Sequence, residues 1–72
     1  MDDVVIGAVK DIADRDWDAL RFKLHPYLHW TSGTGAVVRG RKNVLRLLEA
    51  GPAPGPPSSY ELRDGQIYRW HA

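Results

Sequence analysis

The segment Leu24 to Trp30, LHPYLHW, sets His25 and His29 four residues apart, beside Tyr27 and Trp30. Imidazole serves both as a proton-transfer group and as a metal ligand, so the spacing raises both chemistries. On a helix, residues four apart share a face and can grip one zinc ion. Pro26 opposes that geometry, because a proline pushes the residue before it towards extended backbone. Four strand steps of roughly 3.3 Å instead hold the two histidines about 13 Å apart. No cysteine and no cluster of acids stands nearby to complete a ligand set. The expectation is no metal and no cofactor. His25-Pro26 then reads as a helix-to-strand joint, and His29 faces the surface or an interface beside Tyr27.

A second set of residues can do chemistry only if the fold brings it to one face: Trp17, Trp30, Ser32, Tyr60, Leu62, Arg69 and His71. The elements decide this. From Asp3 to Asp14, Val5, Ile6, Val9, Ile12 and Ala13 recur at helical spacing, with Asp2 or Asp3 available as a cap. Asp16 caps a second, short helix carrying Trp17, Leu20 and Leu24 on one stripe, and the DRD segment between the helices is a tight bend. After Pro26, YLHWTS alternates as a strand, with Leu28 and Trp30 on one face and Tyr27, His29 and Thr31 on the other. SGTG is a turn, AVVR a short extended piece, and Val44, Leu47 and Leu48 mark a third helix stopped by Gly51.

Residues 51–59, GPAPGPPSS, suit neither helix nor strand and read as an exposed connector without a functional role. The final segment, YELRDGQIYRW, places strand-forming runs on either side of Asp64-Gly65, the signature of a type I′ hairpin. Regular pairing sets Arg63 against Gln66, Leu62 against Ile67, Glu61 against Tyr68 and Tyr60 against Arg69. One face then carries Tyr60, Leu62, Ile67, Arg69 and His71, and the other carries Glu61, Arg63, Gln66, Tyr68 and Trp70. The order ααβαββ is that of an α+β domain occupying residues 1–72.

Seventy-two residues bury only about 60% of their unfolded surface, which leaves a marginal core. The absence of cysteine removes disulfides as a remedy, so oligomerisation is favoured. A net charge of +1 creates no whole-molecule field towards nucleic acid or acidic lipid. The basic cluster Arg39, Arg41, Lys42 and Arg46 lacks the interleaved aromatics that stack on bases, and it reads as the solvated end of a helix. The acidic start MDD is unlike a signal peptide, and no apolar run approaches the roughly 20 residues of a membrane span. The expectation is a cytoplasmic protein without nucleic-acid or membrane partners.

The order of D-W-x-A-L at Asp16–Leu20, H-P at His25-Pro26, Trp30 on the first strand, R-G-R at Arg39–Arg41 and D-G-x-I at Asp64–Ile67 resembles the nuclear transport factor 2-like superfamily. It is most similar to the small bacterial SnoaL-like branch, relatives of polyketide cyclases and ketosteroid isomerase. The resemblance implies a curved antiparallel sheet wrapped around three helices, a cone whose mouth holds a small, largely apolar molecule. Members are usually longer, with a further hairpin where this chain has GPAPGPPSS, so a reduced sheet and a cone open on one side are expected. Members that work as ketosteroid isomerase carry a catalytic aspartate two residues after the strand tryptophan. Ser32 stands there, and a serine does not replace that carboxylate base.

The resemblance therefore implies binding of a small apolar or aromatic molecule. Acid–base cyclisation, isomerisation or dehydration in natural-product biosynthesis is a further expectation. Trp17, Trp30, Ser32 and Leu62 would line the ligand site, Tyr60 or His71 would transfer protons, and Arg69 would stabilise an anion or enolate. The rival is a non-catalytic dimeric module, its interior plugged by Trp17 and Trp30. A homodimer is expected on either reading, since Tyr27, His29, Tyr68 and Trp70 would form an aromatic patch on the sheet's outer face, suited to a twofold partner.

Overall fold

A computed structural model describes residues 1–72. Helix α1 spans Asp3–Asp14 and turns its buried stripe, Val5, Ala8 and Ile12, towards the sheet. Ile6 and Ala13, expected on that stripe, are exposed, and Ala8 takes the central place. Arg15 ends α1 in the left-handed region at φ 57°, where its backbone N–H donates to the carbonyl of Ile12 and the next N–H, of Asp16, to that of Asp11. The tight bend expected at DRD is this cap. Asp16 then starts α2, Trp17–Lys23, by accepting the N–H of Ala19 on its side chain. Lys23 reaches back across Gly7 to the carboxylate of Asp11, tying α2 to α1.

Strand β1, Leu24–Thr31, follows without a linker, so Leu24 opens a strand rather than closing α2. Three elements come next, β2 at Val37–Arg39, α3 at Arg41–Ala50 and β3 at Ser59–Arg63. The last is β4, Gln66–His71. The sheet order is β2-β1-β4-β3. The two hairpins pair antiparallel, but β1 and β4 run parallel at the centre. The sheet is mixed, which corrects the expectation of an antiparallel one: α3 and the connector return the chain so that β4 enters beside β1 in the same direction. Three helices on a reduced, unclosed four-stranded sheet make an α+β fold.

The hairpin turn forms as its sequence requires, with Asp64 at φ 54° and Gly65 at φ 76°, both in the positive region that a type I′ turn demands. Arg63 pairs with Gln66 and Leu62 with Ile67. Beyond that the register shifts. Glu61 pairs with Arg69 and Tyr60 with Trp70, so Tyr68 is the extra residue of a β-bulge. An extra residue reverses the alternation after it. Trp70 consequently enters the core, while Arg69 and His71 turn outwards, the opposite of the faces expected for them.

Strand β1 carries a second irregularity. Between the pairs Leu24–Ile67 and His29–Arg69 it has four residues where β4 has Tyr68 alone. The arch centres on Pro26, which has no N–H to give to a ladder. The ring of His25 accepts the backbone N–H of Tyr27 at 3.0 Å and closes the joint.

Candidate functional site

Two rows of side chains cross the inner face of the sheet. Leu24, Ile67 and Leu62 form one, and Val38, Trp30, Trp70 and Tyr60 the other. In the second row the indoles of Trp30 and Trp70 stack, with centroids 4.5 Å apart and planes within 7°. Val5, Ala8, Ile12 and Leu20 cover this face from α1 and α2, and Val44 and Leu48 from α3. No polar or charged residue is buried. The interior where the cone's ligand would lie is therefore filled by the chain's own side chains. Its one polar irregularity is the indole N–H of Trp70, buried without a hydrogen-bond partner.

The residues expected to transfer protons do not meet. The Tyr60 hydroxyl sits at the start of α1, accepting the backbone N–H of Asp2 at 3.0 Å and donating to the Asp2 carboxylate at 3.2 Å. Arg69 lies on the outer face, 3.7 Å from the carboxylate of Glu61. His71 is exposed at the end of β4, paired with Thr31 and Ser59. Trp17 is half-buried against the core edge, its ring 5.2 Å from the Arg15 guanidinium. It thus packs on the edge of the core and is not the plug of the rival reading. Leu62 packs against the core.

Trp30 and Ser32 do come together. They line an apolar cleft of about 180 Å³ at the end of β1, with Leu47 and Leu48 of α3 and Pro52 and Pro54 of the connector. Two of the four residues expected to contact a ligand are in this cleft. The connector is less idle than expected, since Pro57 is also buried. Leu47 was legible as an apolar position on α3, yet it points away from the core stripe and is 42% exposed. The prolines gave no signal, because nothing in a proline-rich run says which ring will turn inwards.

The outer face gathers a different set. Tyr68, on the bulge, meets His25 edge-on at 5.1 Å and His29 at 5.6 Å between ring centroids. The guanidinium of Arg63 lies 4.0 Å over the same ring. The arch in β1 thus brings both histidines to one tyrosine, closer than a straight strand allows. No group of three or more His, Cys, Asp or Glu side chains is placed to hold a metal ion. Tyr27, beside them, is 74% exposed. No helix is long and apolar enough to cross a membrane.

This architecture has close counterparts among solved structures. A ketosteroid isomerase-like protein from Kribbella flavida superposes with a TM-score of 0.77 at 17% identity, covering 92% of this chain and 70% of that one. A nuclear transport factor 2-like protein of unknown function from Burkholderia xenovorans gives a TM-score of 0.68 at 16% identity, covering 90% and 75%. No protein-family model and no curated protein matches the sequence significantly. The chain has the nuclear transport factor 2-like fold, in a version with few strands.

Proposed function

We propose that this chain is a non-catalytic binding module that takes a small apolar or aromatic group in the cleft beside Trp30. The observation that carries the reading is the Trp30–Trp70 stack, which occupies the middle of the sheet's inner face. With the interior filled, the apolar space left for a guest is the cleft of about 180 Å³ between β1, α3 and the connector. Its lining is mostly hydrocarbon and proline ring, with Ser32 at its edge, its hydroxyl 2.8 Å from that of Thr34, the apolar composition of a small-molecule site. Tyr60 lies on the inner face at the start of α1 while Arg69 and His71 lie on the outer face, which argues against proton transfer between them and a shared substrate.

Indole and phenol are suitable probes, titrated with detection by ligand-observed NMR. Saturable binding should be lost in Leu47→Glu, which puts a charge on the cleft wall, and kept in Arg69→Ala. Binding that survives Leu47→Glu but disappears in Arg69→Ala would return the site to the residues of the acid–base reading.

A second reading, homodimerisation through the outer sheet face, is supported by the exposed Tyr27 and the half-buried Tyr68 and histidines. With Trp70 inside, this patch is smaller than the sequence suggests and is rimmed by Arg39, Arg63 and Arg69 against the single acid Glu61. A twofold partner would have to bring the Glu61 of one copy towards an arginine of the other. Sedimentation at micromolar concentration tests this: a monomer for the folded wild type rules it out.

A further inference from the structure

The helices carry a second concavity, remote in character from the Trp30 cleft. A groove of about 550 Å³ runs between α2 and α3, lined by Arg21, Arg41, Lys42, Leu45, Arg46 and Glu49. Four of the chain's ten basic residues face it, against one carboxylate and one apolar side chain. None of the four cations is paired. The ion pairs within 4.0 Å join Lys10 to Asp14, Lys23 to Asp11 and Arg69 to Glu61, and none reaches the groove. Nor does any of the four side chains make a hydrogen bond within the protein, whereas Arg15, at the far end of α3, donates to the carbonyl of Glu49 at 2.7 Å.

The local electrostatics are unfavourable as they stand. Lys42 and Arg46 are like charges four residues apart on one helix, which repel. Arg41 and Lys42 also occupy the first turn of α3, the positive end of its dipole, where acids are stabilising and bases are not. A protein of net charge +1 has thus concentrated uncompensated positive charge on two facing helices. An anion entering the groove would relieve all of these repulsions at once, and the guanidinium forks of Arg21, Arg41 and Arg46 can each grip two oxygens.

We propose that the groove between α2 and α3 binds a small, multiply charged phosphate compound. Multivalency follows from four unpaired cations converging on one space. Phosphate suits the three guanidinium forks better than a single carboxylate does. Small size follows from the extent of the cationic stretch, since Arg41 to Arg46 covers only about 8 Å of helix at 1.5 Å per residue. No aromatic side chain lines the groove, so there is nothing to stack on the bases of a nucleic acid.

An amide NMR titration of the wild type with sodium tripolyphosphate, at about 50 mM salt to limit screening, tests the assignment. Saturable shifts are expected at Arg21 and along Arg41–Glu49, with a Kd of about 1 mM or tighter and orthophosphate weaker by about tenfold. The double variant Arg21→Gln/Arg46→Gln should weaken tripolyphosphate by about tenfold or more, whereas Arg63→Gln on the outer sheet face should not. Shifts centred on the outer face overturn the proposal. So do an absence of saturation up to about 10 mM, an affinity unchanged in the double variant, or tighter binding of a short mixed-sequence oligonucleotide than of tripolyphosphate. Should the double variant fail to fold, the wild-type shift map and the oligonucleotide comparison still decide the matter.

Discussion

The unpartnered indole N–H of Trp70 allows a matched comparison. Trp30→Phe and Trp70→Phe remove the same atoms from two rings stacked on each other, so the lost stacking and the void left behind are common to both, to first approximation. What differs is the nitrogen. Trp70 is fully buried and its N–H lacks an acceptor, while Trp30 borders the small cleft and its nitrogen is not stranded in this way. A buried donor left unmade costs about 1–3 kcal/mol, and Trp70→Phe removes that cost. Trp70→Phe should therefore be less destabilising than Trp30→Phe by about 1–3 kcal/mol. In a domain of this size each kcal/mol moves the melting temperature by roughly 4–8 °C, so Trp30→Phe should melt lower by about 4 °C or more. Urea and thermal unfolding followed by far-ultraviolet circular dichroism measure this without relying on tryptophan emission. A Trp70→Phe variant that melts at or below Trp30→Phe would refute the reasoning, and with it the claim that the N–H is stranded.

Three other substitutions probe the frame. Trp70→Glu should leave the chain largely unfolded, because it forces an unpaired charge into a fully buried position; a folded monomer by gel filtration and circular dichroism would return Trp70 to the surface. Asp16→Ala removes the acceptor for the Ala19 N–H at the start of α2 and should cost about 1 kcal/mol in urea unfolding; no change would mean that the cap contributes nothing. Gly40→Ala places a β-carbon on a backbone at φ 90° just before α3 and should lower stability by about 1 kcal/mol or more, with Gly33→Ala, which meets open space, as the milder control.

Much of the frame was legible because its signals are local. The cap at Asp16, the hairpin turn at Asp64-Gly65, and the end of α3 at Gly51 all reside in one to four neighbouring residues, and all are present. The order of elements and the motifs that resemble the nuclear transport factor 2-like superfamily pointed to the fold that the solved structures share. The cleft was half legible: Trp30 and Ser32 were named from their strand, but Leu47, Pro52 and Pro54 join them only because α3 and the connector fold over the strand's end.

The faces of the last strand show where sequence reasoning stops. Strict alternation predicts Leu62, Ile67, Arg63 and Gln66 correctly, because these lie within two steps of the turn that sets their register. Past Tyr68 the same rule misassigns Arg69, Trp70 and His71. A period of two carries information forward only while no residue is inserted, and nothing in the string QIYRWH marks an insertion at Tyr68. The bulge is decided by the rest of the fold: β1 lies parallel to β4 and presents Trp30 at the position opposite Trp70. Slipping one residue into the bulge exchanges an indole in water for an indole stacked on Trp30 beneath three helices, and it places Tyr68 among His25, His29 and Arg63 outside. The sequence by itself thus determined the elements, their caps and the first pairs of the hairpin, because those depend on near neighbours. Tertiary structure alone decided that Trp70 joins Trp30 in the core and that Tyr60 is parted from Arg69 and His71, because that choice depends on contacts between strands some forty residues apart along the chain.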